Sequence, residues 1–320
     1  MCGFLIQFLV LTAAATSGCS RHEGVPWAWQ AWNDPLPPFH IAGNIHHVGS
    51  RNMGVFLITT PDGHILLDSA FDATVPQIRV NMKALGFRFE DIKILLSSHA
   101  HVDHVQGHAQ VRKLTGARVL ASQEDAPIIS SGGKGDFLFE DLYAWQGCPV
   151  DGIVKDGDVV ELGGTKLVAR LTPGHTKGAT TWTMKVQDGG KTLDVVFFPS
   201  GNVNAGVRLV GNPRYPGIAA DFDRSFATWK SLPCDVFLGA HGVFWDAEGK
   251  LARVRAGGPN PFIDPEGYKK VVAQQEAAFR AKLHGANEIG SATAKALATG
   301  MVLTRRPAAS STTSTSPSRR

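Results

Sequence analysis

Between Ser98 and His104 the chain reads Ser-His-Ala-His-Val-Asp-His, which sets three imidazoles and one carboxylate within the six residues His99 to His104. These are good ligands for zinc and its neighbours, and soluble chains seldom crowd them so closely without a metal. His99 and His101 are two apart, so an extended backbone points both to one side. Asp103 and His104 follow as the chain turns and can face a second point nearby. The arrangement suits two metals better than one. A helix N-terminus rich in polar caps is the plainer reading, but capping needs far fewer such groups.

Two further histidines have matching settings. His175 follows Leu171-Thr172-Pro173-Gly174, a strand running into a Pro-Gly turn, and His241 follows Val236-Phe237-Leu238-Gly239-Ala240, a buried-type strand. A lone histidine at a strand end is more often a hydrogen-bonded core residue. Beside the hexamer the balance reverses, because two coordination shells need more ligands to close. His99, His101 and His175 are assigned to one zinc, and Asp103, His104 and His241 to the other. Three protein ligands at each metal leave a position for water, whose pKa zinc lowers to about 7. A hydroxide shared by two metals attacks without a serine and without a covalent intermediate. His46, His47 and His64 fall in strand or turn positions ahead of the site, and His108, four past His104, is expected at the surface. Gly132-Gly133-Lys134-Gly135 lacks the following Ser/Thr and helix pattern of a phosphate loop.

These ligands need strands to carry them. Ile92-Lys93-Ile94-Leu95-Leu96 reads as a buried strand that delivers the hexamer to a loop. Before it come strands over Asn44–Gly49 and Met53–Thr60, a hairpin turn at Pro61-Asp62-Gly63, a returning strand His64–Asp68, and a helix from Val75 to Leu85 that Gly86 stops. After it come a helix over Gly107–Thr115, a strand at Arg118–Ala121, a helix near Glu124–Ser130 and a flexible loop at Ser131–Asp136. Strand patterns return at Asp158–Leu162, Thr165–Leu171 and Thr180–Val186, with Gly163-Gly164 between the first two. Tyr268 to Leu283 has the spacing of an amphipathic helix. Two βαβ-like halves, each opening with hairpins, predict an α/β fold of two sheets packed face to face with helices outside.

The 320 residues, 43% of them apolar, suffice for one large domain or two small ones. The net charge of +4 owes much to Arg305, Arg306, Arg319 and Arg320, and no basic stripe with interleaved aromatics points to nucleic acid. Phe4 to Ala15 is an apolar run too short to span a bilayer, followed by small residues; residues 1–22 read as a secretory signal peptide. Cys19 is a possible lipid anchor within it, although Thr16 stands three before it. Residues 23–285 form the expected catalytic domain. Residues 286–320 are an extra segment, disordered from about Ala308, where Ser, Thr, Pro and Arg prevail. Cys148 and Cys234 could pair or could be two separate packed thiols.

The hexamer resembles the His-x-His-x-Asp-His motif of the metallo-β-lactamase superfamily, with strand-end histidines in the order of His175 and His241. The likeness extends to class B β-lactamases of the third subclass through Leu171–Gly178, Gly211-Asn212-Pro213-Arg214-Tyr215-Pro216, Leu232-Pro233-Cys234-Asp235-Val236 and the Pro37-Pro38-Phe39 segment, covering about Trp27 to Leu283. The resemblance implies an αββα sandwich and a monomeric, exported periplasmic enzyme. It would carry two Zn2+ per chain and hydrolyse β-lactam antibiotics with a metal-bound hydroxide that Asp103 orients. In relatives such as glyoxalase II, lactonases and RNase Z, an aspartate bridging the metals follows an apolar strand. Here Val195–Pro199 leads into Ser200-Gly201. In the third subclass a serine is common at this place, and the resemblance gives Ser200 and Asn202 the substrate carboxylate. Val102 and Val105-Gln106 depart from the aromatic and small residues often found there, and no cysteine follows Cys234 to make the disulfide of some relatives. Another exported dizinc hydrolase, such as a lactonase, and a zinc-binding module without turnover are the competing readings.

Overall fold

The computed structural model describes residues 31–140 and 142–298, with side chains as far as Asn287. The first sheet begins as an antiparallel meander of β1 (Phe39–Ala42), β2 (Ile45–His47), β3 (Phe56–Thr60) and β4 (Gly63–Leu67). Thr60 pairs with Gly63 across Pro61-Asp62, as the turn residues predict. Helix α1 (Val75–Ala84) then crosses to β5 (Ile92–Leu96), which lies parallel to β4. The short α2 (Val102–Val105) and α3 (His108–Thr115) lead to β6 (Arg118–Ser122), and α4 (Ala126–Ser131) to β7 (Gly152–Val154), so four strands run parallel. Seven strands therefore lie in sequence order.

The second sheet is built from hairpins. β8 (Val159–Leu162), β9 (Thr165–Leu171), β10 (Thr180–Asp188) and β11 (Lys191–Phe198) are antiparallel neighbours. Two of the turns are Gly-Gly pairs, Gly163-Gly164 and Gly189-Gly190, with all four φ angles positive. Two-residue loops need that backbone to match strand twist, and glycine adopts it without a Cβ clash. After α5 (Ile218–Ser231), β12 (Val236–Gly239) adds in parallel beside β11, giving five strands in the order β12-β11-β10-β9-β8. Helices α6 (Ala247–Ala256) and α7 (Pro265–Ala298) close the described chain.

Alternation along the strands sorts residues into two apolar layers. Phe56, Ile58, Ile65, Leu67 and Leu96 turn toward Leu167, Trp182, Met184 and Phe197 of the second sheet. Their neighbours Leu57, Leu66 and Leu95 turn the other way and meet Val75, Ile78 and Met82 of α1 and Val111 of α3. The far face of the second sheet is covered by Phe222, Phe226 and Trp229 of α5 and Phe279 of α7. Helix, sheet, sheet, helix is the sandwich that the sequence predicts.

Three sequence readings need amendment or completion. The last helix does not stop near Leu283 but continues to Ala298. Its continuation is rich in alanine and no proline interrupts it as far as Ala298. Cys148 is buried and Cys234 half-buried, and both are free, so the two-thiol alternative holds. The signal peptide, with Cys19, and the tail from Ala308 lie outside the described residues.

The sheets are tied together at one end of the sandwich. The Trp182 indole N–H donates to Ser97 O at 3.0 Å and Thr180 N–H donates to Ser98 O at 2.8 Å, linking β10 to the loop after β5. Trp182 is fully buried. Trp182→Phe keeps most of the apolar bulk but strands the Ser97 carbonyl, and is expected to cost about 1–3 kcal/mol of unfolding free energy in a urea titration.

Candidate functional site

Every ligand-type residue singled out by the sequence sits at this tied end, where strands β5, β9, β11 and β12 finish. β5 delivers His99 and His101. His101, extended at φ −99° and ψ 154°, is the N-cap of α2, whose single turn carries Asp103 and His104. The helix-start reading and the metal reading thus describe the same residues. β9 delivers His175 through the Pro173-Gly174 turn. Gly174 has φ +137°, and a Cβ there would stand 2.8 Å from the Phe222 ring. β12 delivers His241, which Met53 pairs as an isolated antiparallel bridge. Gly54 N–H donates to Ala240 O at 2.8 Å, and a Cβ on Gly54 would lie 2.3 Å from Gly239 O. Glycine is what lets the first sheet approach this strand end so closely.

The structure brings all six together in two groups, His99 with His101 and His175, and Asp103 with His104 and His241. Within each group the candidate ligand atoms lie within 4.8 Å of one another. In the first group the three ring-to-ring distances are 4.8, 4.7 and 4.8 Å, an almost equilateral triangle. His99 and His104 rings are 4.1 Å apart, so the groups adjoin.

Hydrogen bonds fix the orientation of three of the five rings. His175 Nδ1–H donates to Asn202 O at 2.7 Å, leaving the Nε2 lone pair free. Asp68 accepts from Ser98 N–H at 2.7 Å, from Ser98 Oγ–H at 2.7 Å and from His104 Nδ1–H at 3.3 Å. Ser98 has spent its proton on Asp68, so its oxygen accepts from His99 Nδ1–H at 3.1 Å. Nε2 of His99 and of His101, both buried, have no hydrogen-bond partner, and the buried Nε2 of His104 meets only the Asp103 carboxylate, at 3.2 Å. Orphaned buried nitrogens are rare and costly unless something binds them. A carboxylate, five imidazoles and converging lone pairs are a donor set that fits zinc.

Charge follows the same division. Burial holds the His101 imidazole down at about 4 and those of His175 and His241 at about 3, and also lowers His99 well below its usual value, so these rings are neutral at physiological pH. His104 is also buried, but the carboxylates of Asp103 and Asp68 lift it to about 10. His104 and His241, with the hydrogen bond from His104, hold the Asp103 carboxyl well below its usual range in spite of its burial.

A cleft of 430 Å³ opens over the two groups. Trp32 stands edge-on to His241 at 5.1 Å and Phe139 edge-on to His101 at 5.1 Å, and both line the cleft. Ser200 and Asn202 line the cleft as well. Ser200 is buried, and its Oγ accepts Asn202 N–H at 3.1 Å. Asn202 is exposed.

The expectation for His108 is corrected. It is fully buried, its Nδ1 is 2.7 Å from Ser69 Oγ, and burial pushes it down to about 3. Gly107 causes this: its N–H donates to Ala70 O at 3.1 Å and its bare Cα lets α3 press against Ser69. Sequence reasoning missed Asp68, whose one signal is an acidic residue ending the apolar run Ile65-Leu66-Leu67. It also missed Trp32 and Phe139, which no local pattern marks.

A family profile described as the metallo-beta-lactamase superfamily matches residues 54–241, more than half of the chain. The native FEZ-1 metallo-beta-lactamase from Legionella gormanii superposes with a TM-score of 0.79 and is 44% identical, over 80% of this chain and 98% of that one. BJP-1, a subclass B3 metallo-beta-lactamase of Bradyrhizobium japonicum, gives a TM-score of 0.76 and 38% identity, over 82% and 99%. Among curated proteins, the hydroxyacylglutathione hydrolase of Methylobacterium nodulans is 34% identical over 137 residues, 42% of this chain. The match spans 43% of that relative, and the chain covers less than half the length of the curated relatives it matches first.

Asp68 itself has φ +63°, a backbone that costs a non-glycine residue about 1 kcal/mol, so its three bonds are what hold it there. In metal-free protein, Asp68→Ala strips partners from Ser98 and from the buried His104. A loss of roughly 3 kcal/mol or more is expected in chemical denaturation.

Proposed function

The chain belongs to the metallo-beta-lactamase superfamily, and on that premise we propose that it is a zinc-dependent β-lactamase opening the amide ring of penicillins, cephalosporins and carbapenems. The family and the donor set imply a metal. The fuller reading is two Zn2+ per chain, one held by His99, His101 and His175, the other by Asp103, His104 and His241. Bound zinc supplies Lewis acidity toward a carbonyl oxygen and a departing nitrogen, and lowers the pKa of water to about 7.

The chain's own residues do the rest. Asn202 O holds the His175 proton on Nδ1 and so aims Nε2 into the cleft. The Asp103 carboxylate, ionised and 3.2 Å from His104 Nε2 and 3.6 Å from His241 Nε2, orients the attacking water. Trp32 and Phe139 exclude bulk water from the two sides of the cleft. Ser200 Oγ and the Asn202 side chain bind the substrate carboxylate. Ser200 is no nucleophile here: its Oγ accepts from Asn202 N–H, and no histidine is bonded to it among the described residues. Water adds across the amide carbon–nitrogen bond, its oxygen to carbon and a proton to nitrogen, with no acyl-enzyme.

One observation carries the choice within the superfamily. β11 leads through Pro199 into Ser200, not into a carboxylate, so among the described residues only Asp103 supplies an acid to the paired groups. High identity over nearly the whole of FEZ-1 supports the same reading. The curated hydroxyacylglutathione hydrolases favour a second one, hydrolysis of a thioester, and a lactonase is the third. The apolar run Phe4–Ala15 supports export, and among the described residues no helix is long and apolar enough to cross a membrane. A monomer in the periplasm is the corresponding proposal.

Purified protein should turn over nitrocefin, lose that activity to EDTA, regain it with Zn2+ and ignore clavulanate. Asp103→Ala should lower kcat/KM by about 100-fold or more. Nitrocefin, a homoserine lactone and a hydroxyacylglutathione are to be assayed side by side. Faster hydrolysis of the lactone or the thioester would overturn the β-lactamase reading.

A further inference from the structure

Asp125 lies between β6 and α4, is 3% exposed, and belongs to neither ligand group. Its Oδ2 accepts Ala100 N–H at 2.8 Å and the Thr176 Oγ1–H at 3.0 Å, and its Oδ1 accepts Gly178 N–H at 3.0 Å. Ala100 stands between His99 and His101, and Thr176 follows His175. One buried carboxylate therefore joins the two chain segments that carry all three imidazoles of the first group.

The surroundings are shaped for this contact. Gly178 O accepts from Ser122 Oγ–H at 2.7 Å and from Thr180 Oγ1–H at 3.0 Å, so the segment is gripped from both sides. A Cβ on Gly178 would fall 2.2 Å from Ser122 Oγ and 2.6 Å from Asp125 Cγ, so a larger residue would drive the segment off the carboxylate. The second group has different supports. His104 is held by Asp68, and His241 by the backbone of Asn52 to Gly54.

We propose that Asp125 is a positioning residue for the His99, His101 and His175 site, setting the affinity of that site independently of its neighbour. The inference rests on the metal reading above. Partners that orient metal ligands without touching the metal are typically worth 10–100-fold in affinity. The effect here is expected on one site only, because the three bonds of Asp125 all end on the segments that bear the first group.

The test uses the full chain, stripped with EDTA and titrated with Cd2+ while 113Cd resonances are recorded. Wild type should give a signal for each group, the one with a carboxylate ligand being identified by its change in Asp103→Asn. Asp125→Asn keeps size, but whichever way its amide turns, an NH2 meets a backbone N–H. It should weaken Cd2+ at the three-imidazole signal by about 10–100-fold and leave the other nearly unchanged. Thr176→Val removes one bond at constant size and should give a smaller loss at the same signal. Equal weakening at both signals, or a lower melting temperature with both affinities intact, would make Asp125 a general fold anchor and overturn the proposal. Wild type binding no Cd2+ would sink the metal reading and this inference with it. Wild type binding at both groups, with Asp125→Asn unaltered, would sink this inference alone.

Discussion

An imidazole can present a lone pair in a fixed direction only if its other nitrogen is tied, and in this fold a buried carboxylate does much of the tying. Asp68 binds Ser98 by backbone and side chain, binds His104 directly, and through the spent proton of Ser98 sets the tautomer of His99. These contacts are short and dry, where a hydrogen bond is strong and an unmade one costly. The same residue holds a left-handed backbone angle at the end of β4. Local strain and ligand alignment are thus two aspects of one set of bonds.

The two sheets make this possible by meeting at one end. β5 comes from one sheet and β9, β11 and β12 from the other, yet all finish above the same floor. Trp182 and Thr180 bond the loop after β5 to the second sheet, and Gly54 lets the first sheet touch the end of β12. A rigid sandwich fixes the strand ends, and short loops then have little freedom in aiming their side chains.

The two ligand groups are not equivalent. The first is three imidazoles that burial keeps neutral. The second combines a carboxylate with a histidine, His104, that two acids keep protonated when nothing else is near. Neutral nitrogen ligands suit polarisation of a carbonyl, and a carboxylate suits orientation of water. Trp32 and Phe139 then make a cleft with apolar sides and a polar floor, a common form for a site that takes a small, partly apolar substrate.

The sequence by itself marked the six candidate ligands, because histidines and an aspartate at or just after strand ends announce their chemistry locally, and it determined the layering through the period-two alternation of strands such as Ile92–Leu96. It also marked the hairpin at Pro61-Asp62 and helix α1, whose signals lie within a few residues. It did not determine the burial of His108, the length of α7, or the roles of Asp68 and Asp125. An aspartate at a strand end looks the same whether it faces water or a histidine 36 residues away. Which of the two it meets depends on how distant segments pack, and only the tertiary structure decided that.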